Sequence, residues 1–89
     1  MANVKFISPY NRITGENTMI IEADDVRQLC HEIIAMFGPD MEFLLDEKGE
    51  LSRKLVLLVN RRNAYTLSGA DTVLSRETEV MIMPYLGWG

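Results

Sequence analysis

The clearest periodicity in the chain is helical. Val26, Leu29, Cys30, Ile33, Ile34 and Phe37 recur at i, i+3, i+4, i+7, i+8 and i+11, which lays an apolar stripe along one face of an α-helix. Asp25 followed by Gln28 fits a capping box, and Gly38-Pro39 fits a C-terminal stop. Arg27, Gln28, His31, Glu32 and Ala35 project from the opposite face. The pattern predicts one helix lying across one face of a sheet.

Shorter apolar segments flank it. Asn3 to Ser8 puts Val4 and Phe6 on one side and Ile7 on the other, as a strand does. Pro9 to Asn17 holds Pro, Asn and Gly and reads as a turn or hairpin loop. Thr18 to Glu22, with Met19, Ile20 and Ile21, is a second strand, so the first two form an antiparallel hairpin. Beyond the helix, a 3₁₀ or short helical turn around Phe43, Leu44 and Leu45 leads into the acidic turn Asp46 to Glu50. Leu55 to Val59 is a run of consecutive apolar residues, expected to meet apolar surroundings on both faces. Asn60 to Asn63 is a turn, Ala64 to Leu67 a short strand at best, and Ser68 to Asp71 another turn. Glu79 to Met83 makes the final strand, ended by Pro84.

Strand, strand, helix and further strands form an α+β domain: a mixed sheet of four to five strands with one main helix. The ubiquitin-like β-grasp is the known arrangement with this order at this length. Residues 1–84 are expected to form the domain and 85–89 a flexible tail. On the last strand Val80 and Ile82 share one parity, and Met81, Met83 and Tyr85 the other. With Val80 and Ile82 facing the helix, the methionines lie on the open face with Val56 and Leu58, an apolar stripe suited to a partner protein. The opposite parity would make the methionines core filler.

Composition narrows the chemistry. The 89 residues allow one core, and 47% hydrophobic with 25% charged residues is globular. Nine basic against thirteen acidic residues give a net charge of −4, which argues against nucleic acid and anionic membranes and favours a positively charged docking partner. A single cysteine excludes an internal disulfide, and no apolar run approaches a membrane span. The expected compartment is the cytoplasm. Cys30 sits on the apolar stripe as a core residue, and His31 projects about 100° away around the helix, so the two do not share a metal. Asp24-Asp25 and Asp46-Glu47 read as cap and turn carboxylates, and Arg61-Arg62 as a solvated turn. No autonomous active site, bound cofactor or metal is expected.

The last third carries a resemblance. Val59-Asn60-Arg61-Arg62-Asn63, Leu67-Ser68-Gly69-Ala70-Asp71-Thr72-Val73-Leu74 and Glu79-Val80-Met81-Ile82-Met83-Pro84 resemble the second half of the MoaD/ThiS-type sulfur carriers, in particular the small subunit of molybdopterin synthase. That family carries a "VNG" turn, a "G-x-D-T-x-L" stretch, a "G-D-E-V" turn and a Gly-Gly tail. The resemblance implies a β-grasp fold and a sulfur carrier for molybdenum or tungsten pterin cofactor synthesis. It implies that an E1-like partner enzyme adenylates the Gly89 carboxylate with ATP, and that a sulfur donor converts it to a thiocarboxylate. It also implies that a synthase large subunit, or another larger enzyme, receives the tail. Pro84 to Gly89 spans roughly 20 Å when extended, and glycines admit close backbone approach. The partner-binding residues implied are Val56, Leu58, Met81, Met83, Tyr85, Leu86, Gly87 and Trp88.

Three positions depart from the pattern. Arg61 stands at the "VNG" glycine, Glu77-Thr78 at the Gly-Asp, and Trp88 before the terminal glycine. Holding φ > 0 at Arg61 and Glu77 would cost about 1–2 kcal/mol each, so these turns are expected to change type. An indole at position 88 obstructs a channel shaped for two glycines, unless that channel is fitted to it. The alternative function is therefore a carrier-derived binding module that docks through its open face and the Trp88 tail without sulfur transfer.

Overall fold

The computed structural model describes residues 1–75 and 77–85. Five strands form one mixed sheet: β1 (Ala2–Phe6), β2 (Thr18–Ile21), β3 (Leu55–Val59), β4 (Arg62–Asn63) and β5 (Thr78–Pro84), in the order β2-β1-β5-β3-β4. β1 pairs antiparallel with β2 and parallel with β5, and β3 pairs antiparallel with both β5 and β4. A short helix α1 (Tyr10–Thr14) lies in the β1–β2 connection, and the main helix α2 (Val26–Phe37) crosses one face of the sheet. This is the β-grasp arrangement expected from the sequence.

Strand alternation decides what α2 covers. Ala2, Val4 and Phe6 of β1, Leu55, Leu57 and Val59 of β3, and Val80 and Ile82 of β5 are all buried. Val26, Leu29, Cys30 and Ile33 of α2 complete that core without exposure, while Ile34 and Phe37 pack at its margin. α2 opens as its sequence requires. Asp25 Oδ1 accepts the Gln28 N–H at 2.8 Å, and Gln28 Oε1 accepts the Asp24 N–H at 2.7 Å, so the box reaches back one residue beyond the cap. Gly38, at φ 75°, closes it with its N–H on the Ile34 carbonyl. The 3₁₀ segment Gly38–Leu44 then buries Met41 and Leu44, and the acidic turn folds around Asp46 Oδ1, which accepts the Lys48 and Glu50 N–H groups.

Four expectations need correction. The Pro9 to Asn17 loop contains α1, because Tyr10 and Thr14 have a place to bury and the Tyr10 ring packs on Phe43 at 5.0 Å. The β3 run does not meet apolar surroundings equally on both faces: Leu55, Leu57 and Val59 are buried, Val56 and Leu58 half-buried. Ala64–Thr66 is a 3₁₀ turn capped by Asn63, and the short strand lies before it at Arg62–Asn63. The fourth concerns the turns, which keep their positive φ: Asn60 at 49°, Arg61 at 70° and Glu77 at 57°.

Candidate functional site

β5 is the central strand of the sheet, hydrogen-bonded to β1 on one edge and β3 on the other. β1 holds β5 as far as Ile82 and β3 holds it to Pro84, where the chain leaves the sheet. Whatever the following residues carry is presented from a fixed point. Leu86, Gly87, Trp88 and Gly89 lie outside the described residues, as does most of the 85–89 tail.

The structure brings together four of the sequence-selected residues. Val80 and Ile82 point into the core, which turns Met81 and Met83 to the open face, both half-buried. The β3–β5 register sets Leu58 beside Met81 and Val56 beside Met83. On the other side of β5, Lys5 of β1 stands in register with Met81. Tyr85 follows β5 and is 57% exposed. The result is an apolar patch two strands wide that runs along β5 toward the tail.

Cations fringe this patch. Lys5 and Arg61 line a depression of about 530 Å³ beside Met81, where Glu79 is the only carboxylate among the described residues. At the tail end, Arg53, Val56, Asn63, Tyr65 and Tyr85 line a second cavity of about 430 Å³. Its wall is held in place: the Tyr65 hydroxyl donates to the Leu55 carbonyl at 3.3 Å, and the Arg53 guanidinium lies 5.5 Å from the Tyr65 ring centroid. Burial pushes the Tyr65 hydroxyl above its ordinary pKa, with the Arg53 charge opposing. Arg53 and Tyr65 were not legible as site residues, because a strand reading of Ala64 to Leu67 gives no reason for Tyr65 to turn toward Tyr85. The net charge of −4 thus does not describe this face, whose fringe suits an acidic rim on a partner.

The motif turns brace β5 from both ends of the β3 connection. Asn60 bonds twice to Glu79, and Thr78 donates its hydroxyl to the Ser75 carbonyl at 2.7 Å. In the Gly69–Leu74 stretch, Gly69 adopts φ 56°, Ala70 is fully buried, and Thr72 Oγ1 accepts the Ser68 N–H at 3.1 Å. Asp71 reaches Arg27, which sequence reasoning had left on a solvated face. Arg27 also donates to the Gly49 carbonyl at 3.0 Å and to Glu50 at 3.1 Å, tying α2 to two loops. These pairings raise the Arg27 pKa, the Asp71 hydrogen bond most of all.

Cys30 and His31 do not form a site. The Cys30 side chain is fully buried and burial pushes its thiol up to about 12, while His31 is exposed. Among the described residues no helix is long and apolar enough to cross a membrane.

No family model matches the chain. A relative from Archaeoglobus fulgidus, named "Putative sulfur carrier protein", is 30% identical over 86 residues, covering 97% of this chain and 98% of its own. Among solved structures, a chain of the Amycolatopsis orientalis BexX/CysO complex superposes with a TM-score of 0.86 at 17% identity, covering all of both chains. Small archaeal modifier protein 1 from Methanosarcina acetivorans gives 0.82 at 22% identity, covering 99% of this chain and 95% of its own. The structural likenesses establish the fold, and the A. fulgidus relative establishes the lineage over nearly the whole length. The chain belongs to the ubiquitin-like sulfur carrier family.

Proposed function

We propose that this chain carries sulfur as a thiocarboxylate on Gly89, in the cytoplasm, for molybdenum or tungsten pterin cofactor biosynthesis. An oxygen of the Gly89 carboxylate attacks the α-phosphorus of ATP within an adenylating partner, and pyrophosphate leaves. A sulfur nucleophile at the hydrosulfide level then attacks the acyl carbon and expels AMP. The thiocarboxylate is delivered to a pterin precursor held by a synthase large subunit. The carrier needs no catalytic side chain for this. Its part is to present one carboxylate and to be recognised.

The observation that carries this reading is the sulfur-carrier lineage over nearly the full length, joined to a tail that leaves the central strand beside an apolar patch. Val56, Leu58, Met81, Met83 and Tyr85 form the docking surface for the adenylating enzyme and the synthase. Lys5, Arg53 and Arg61 orient the partner through its acidic rim. The pterin assignment rests on the likeness of residues 59–84 to the molybdopterin synthase small subunit. Trp88 favours a second reading, a binding module that uses the same face and an indole anchor without sulfur transfer.

Intact mass separates the two. The full chain is incubated with its cognate adenylating enzyme, ATP and a sulfur donor. A mass gain equal to exchange of one oxygen for sulfur at Gly89 is the expected result. An unchanged mass with partner binding retained would establish the binding module instead.

A further inference from the structure

A second surface lies on the opposite edge of the sheet. Among the described residues β2 pairs only with β1 and so forms an edge of the sheet, where alternate residues turn N–H and C=O groups outward. Apart from being short, this edge lacks the usual protections. Thr18–Ile21 contains no proline and no charge, and Ile20 is 65% exposed. Between β2 and α2 lies a cavity of about 640 Å³. Met36 lines its α2 side, Ile20 turns with its register partner Asn3 to the open side of the sheet, and Glu22, Asp24 and Glu32 form an acidic rim. Among the described residues none of these three carboxylates enters an ion pair. Among the described residues the lining holds these three carboxylates and no lysine or arginine.

We propose that this groove binds an extended segment of a partner protein, aliphatic on both faces of the strand and flanked by lysine or arginine, which adds to β2 as a further strand. Backbone pairing to β2 supplies the register, Met36 receives the aliphatic side chains turned toward α2 and Ile20 those turned to the open face, and Glu22, Asp24 and Glu32 select the flanking cations. Charge decides the occupant. A second copy joined through β2 would bring two acidic rims together, which opposes that pairing.

The position leaves the rest of the molecule accessible. Ile21 aligns across β1 with Ala2 and Thr78, the end of the sheet where β5 begins. The chain leaves β5 at Pro84, roughly 20 Å further along the strand. A segment held on β2 covers neither Met81 and Met83 nor Pro84, where the chain leaves the sheet, so a partner can hold the β2 edge while another engages the β5 face. This inference stands on the β2 edge alone and does not depend on sulfur chemistry.

The test titrates the ¹⁵N-labelled full chain with the blocked peptide KKVIVIK at low salt. Expected are amide shifts over Thr18 to Asp24 and on the Glu32–Met36 side of α2, with slowed hydrogen exchange in β2. E22K/E32K, both exposed positions, should weaken binding about tenfold while the amide spectrum stays dispersed. A peptide with proline at its central position loses the strand donor and should not bind, nor should the acidic counterpart EEVIVIE. Shifts centred on Met81 and Met83, equal binding of the proline peptide, or no binding at millimolar peptide would each overturn the proposal.

Discussion

Asn60 holds Glu79 at two points: its N–H donates to the Glu79 carbonyl at 2.8 Å, and its side-chain Oδ1 accepts the Glu79 N–H at 2.9 Å. The pair closes the end of β3 onto β5 and fixes the turn in which Asn60 and Arg61 both have positive φ. Asparagine tolerates that region and here uses its amide as well, whereas arginine only bears the strain. Arg61→Gly should therefore stabilise the fold by about 0.5–1 kcal/mol, the strain relieved less the extra chain entropy of glycine. Asn60→Ala should cost about 1–2 kcal/mol. Urea midpoints at unchanged m-value read both. A destabilised Arg61→Gly would mean that the arginine makes a compensating contact.

The two faces of β5 should separate stability from binding. Ile82 is fully buried, so Ile82→Ala should cost about 3 kcal/mol through lost burial and the cavity left behind. Met81, on the open face, should tolerate lysine within about 1 kcal/mol. The same Met81→Lys change should weaken docking to the adenylating enzyme at least about tenfold, because it places a charge at the centre of the patch. Calorimetric titration against that enzyme checks the second half. Unchanged affinity would move the docking surface off this face.

These faces were largely legible beforehand, because strand parity and helical spacing are local consequences of backbone geometry. The α2 stripe and the Met81–Met83 parity needed nothing more than that. What was missed depends on tertiary contacts. Tyr10 forms a helical turn only because Phe43 is there to pack against, and Tyr65 turns away from a strand because Leu55 offers its carbonyl. Arg61 and Glu77 were expected to relax their turns. Bonds such as those from Asn60 to Glu79 and from Thr78 to Ser75 hold the backbone regardless of the residue in the turn. Arg27 looked solvated because its acceptors, Gly49, Glu50 and Asp71, are distant in sequence.

That cluster gives a prediction of its own. Arg27→Gln should speed hydrogen exchange in the Asp46–Glu50 turn and around Gly69–Asp71 while the β-sheet amides keep their protection. Arg27→Lys should not restore it, because one ammonium cannot reproduce a planar fork divided among three acceptors. Full rescue by lysine would reduce the role of Arg27 to charge alone.

Cys30 sets a pH dependence. Its thiol is raised from 9.0 to about 12, chiefly by burial, so above pH 9 the unfolded chain loses a proton that the folded chain keeps. Stability from this group is complete below pH 9 and falls as pH rises toward 12, by at most about 1.4 kcal/mol per pH unit. Tyr10 and Tyr65, raised by burial from 10.0, add losses in the same direction. Cys30→Ala retains both tyrosines and isolates the thiol. It should be less stable than the native chain at neutral pH by about 1 kcal/mol, and the gap should close within about one unit above pH 9 and reverse as pH rises toward 12. Parallel stability curves would show that Cys30 does not titrate in this way.

Trp88 is where the carrier reading can be tested most directly. A tail that threads a channel must match its width, and an indole between two glycines leaves two possibilities for the native chain. If the cognate adenylating enzyme is fitted to Trp88, Trp88→Gly loses an anchoring contact of the kind worth about 2 kcal/mol. Its KM should then rise roughly thirtyfold while thiocarboxylate still forms at saturation. If the indole blocks the channel, only the Trp88→Gly chain is thiocarboxylated, and the native protein is a binding module that has kept its lineage's docking face. The sulfur-carrier proposal expects the first outcome. Deleting Gly89 controls for the site, since thiocarboxylate on the shortened chain would place the activated carboxylate on whichever residue is last and not on Gly89 in particular. Native activity, raised KM in Trp88→Gly and no product from the shortened chain together assign Gly89 as the sulfur-bearing residue and Trp88 as what its partner reads.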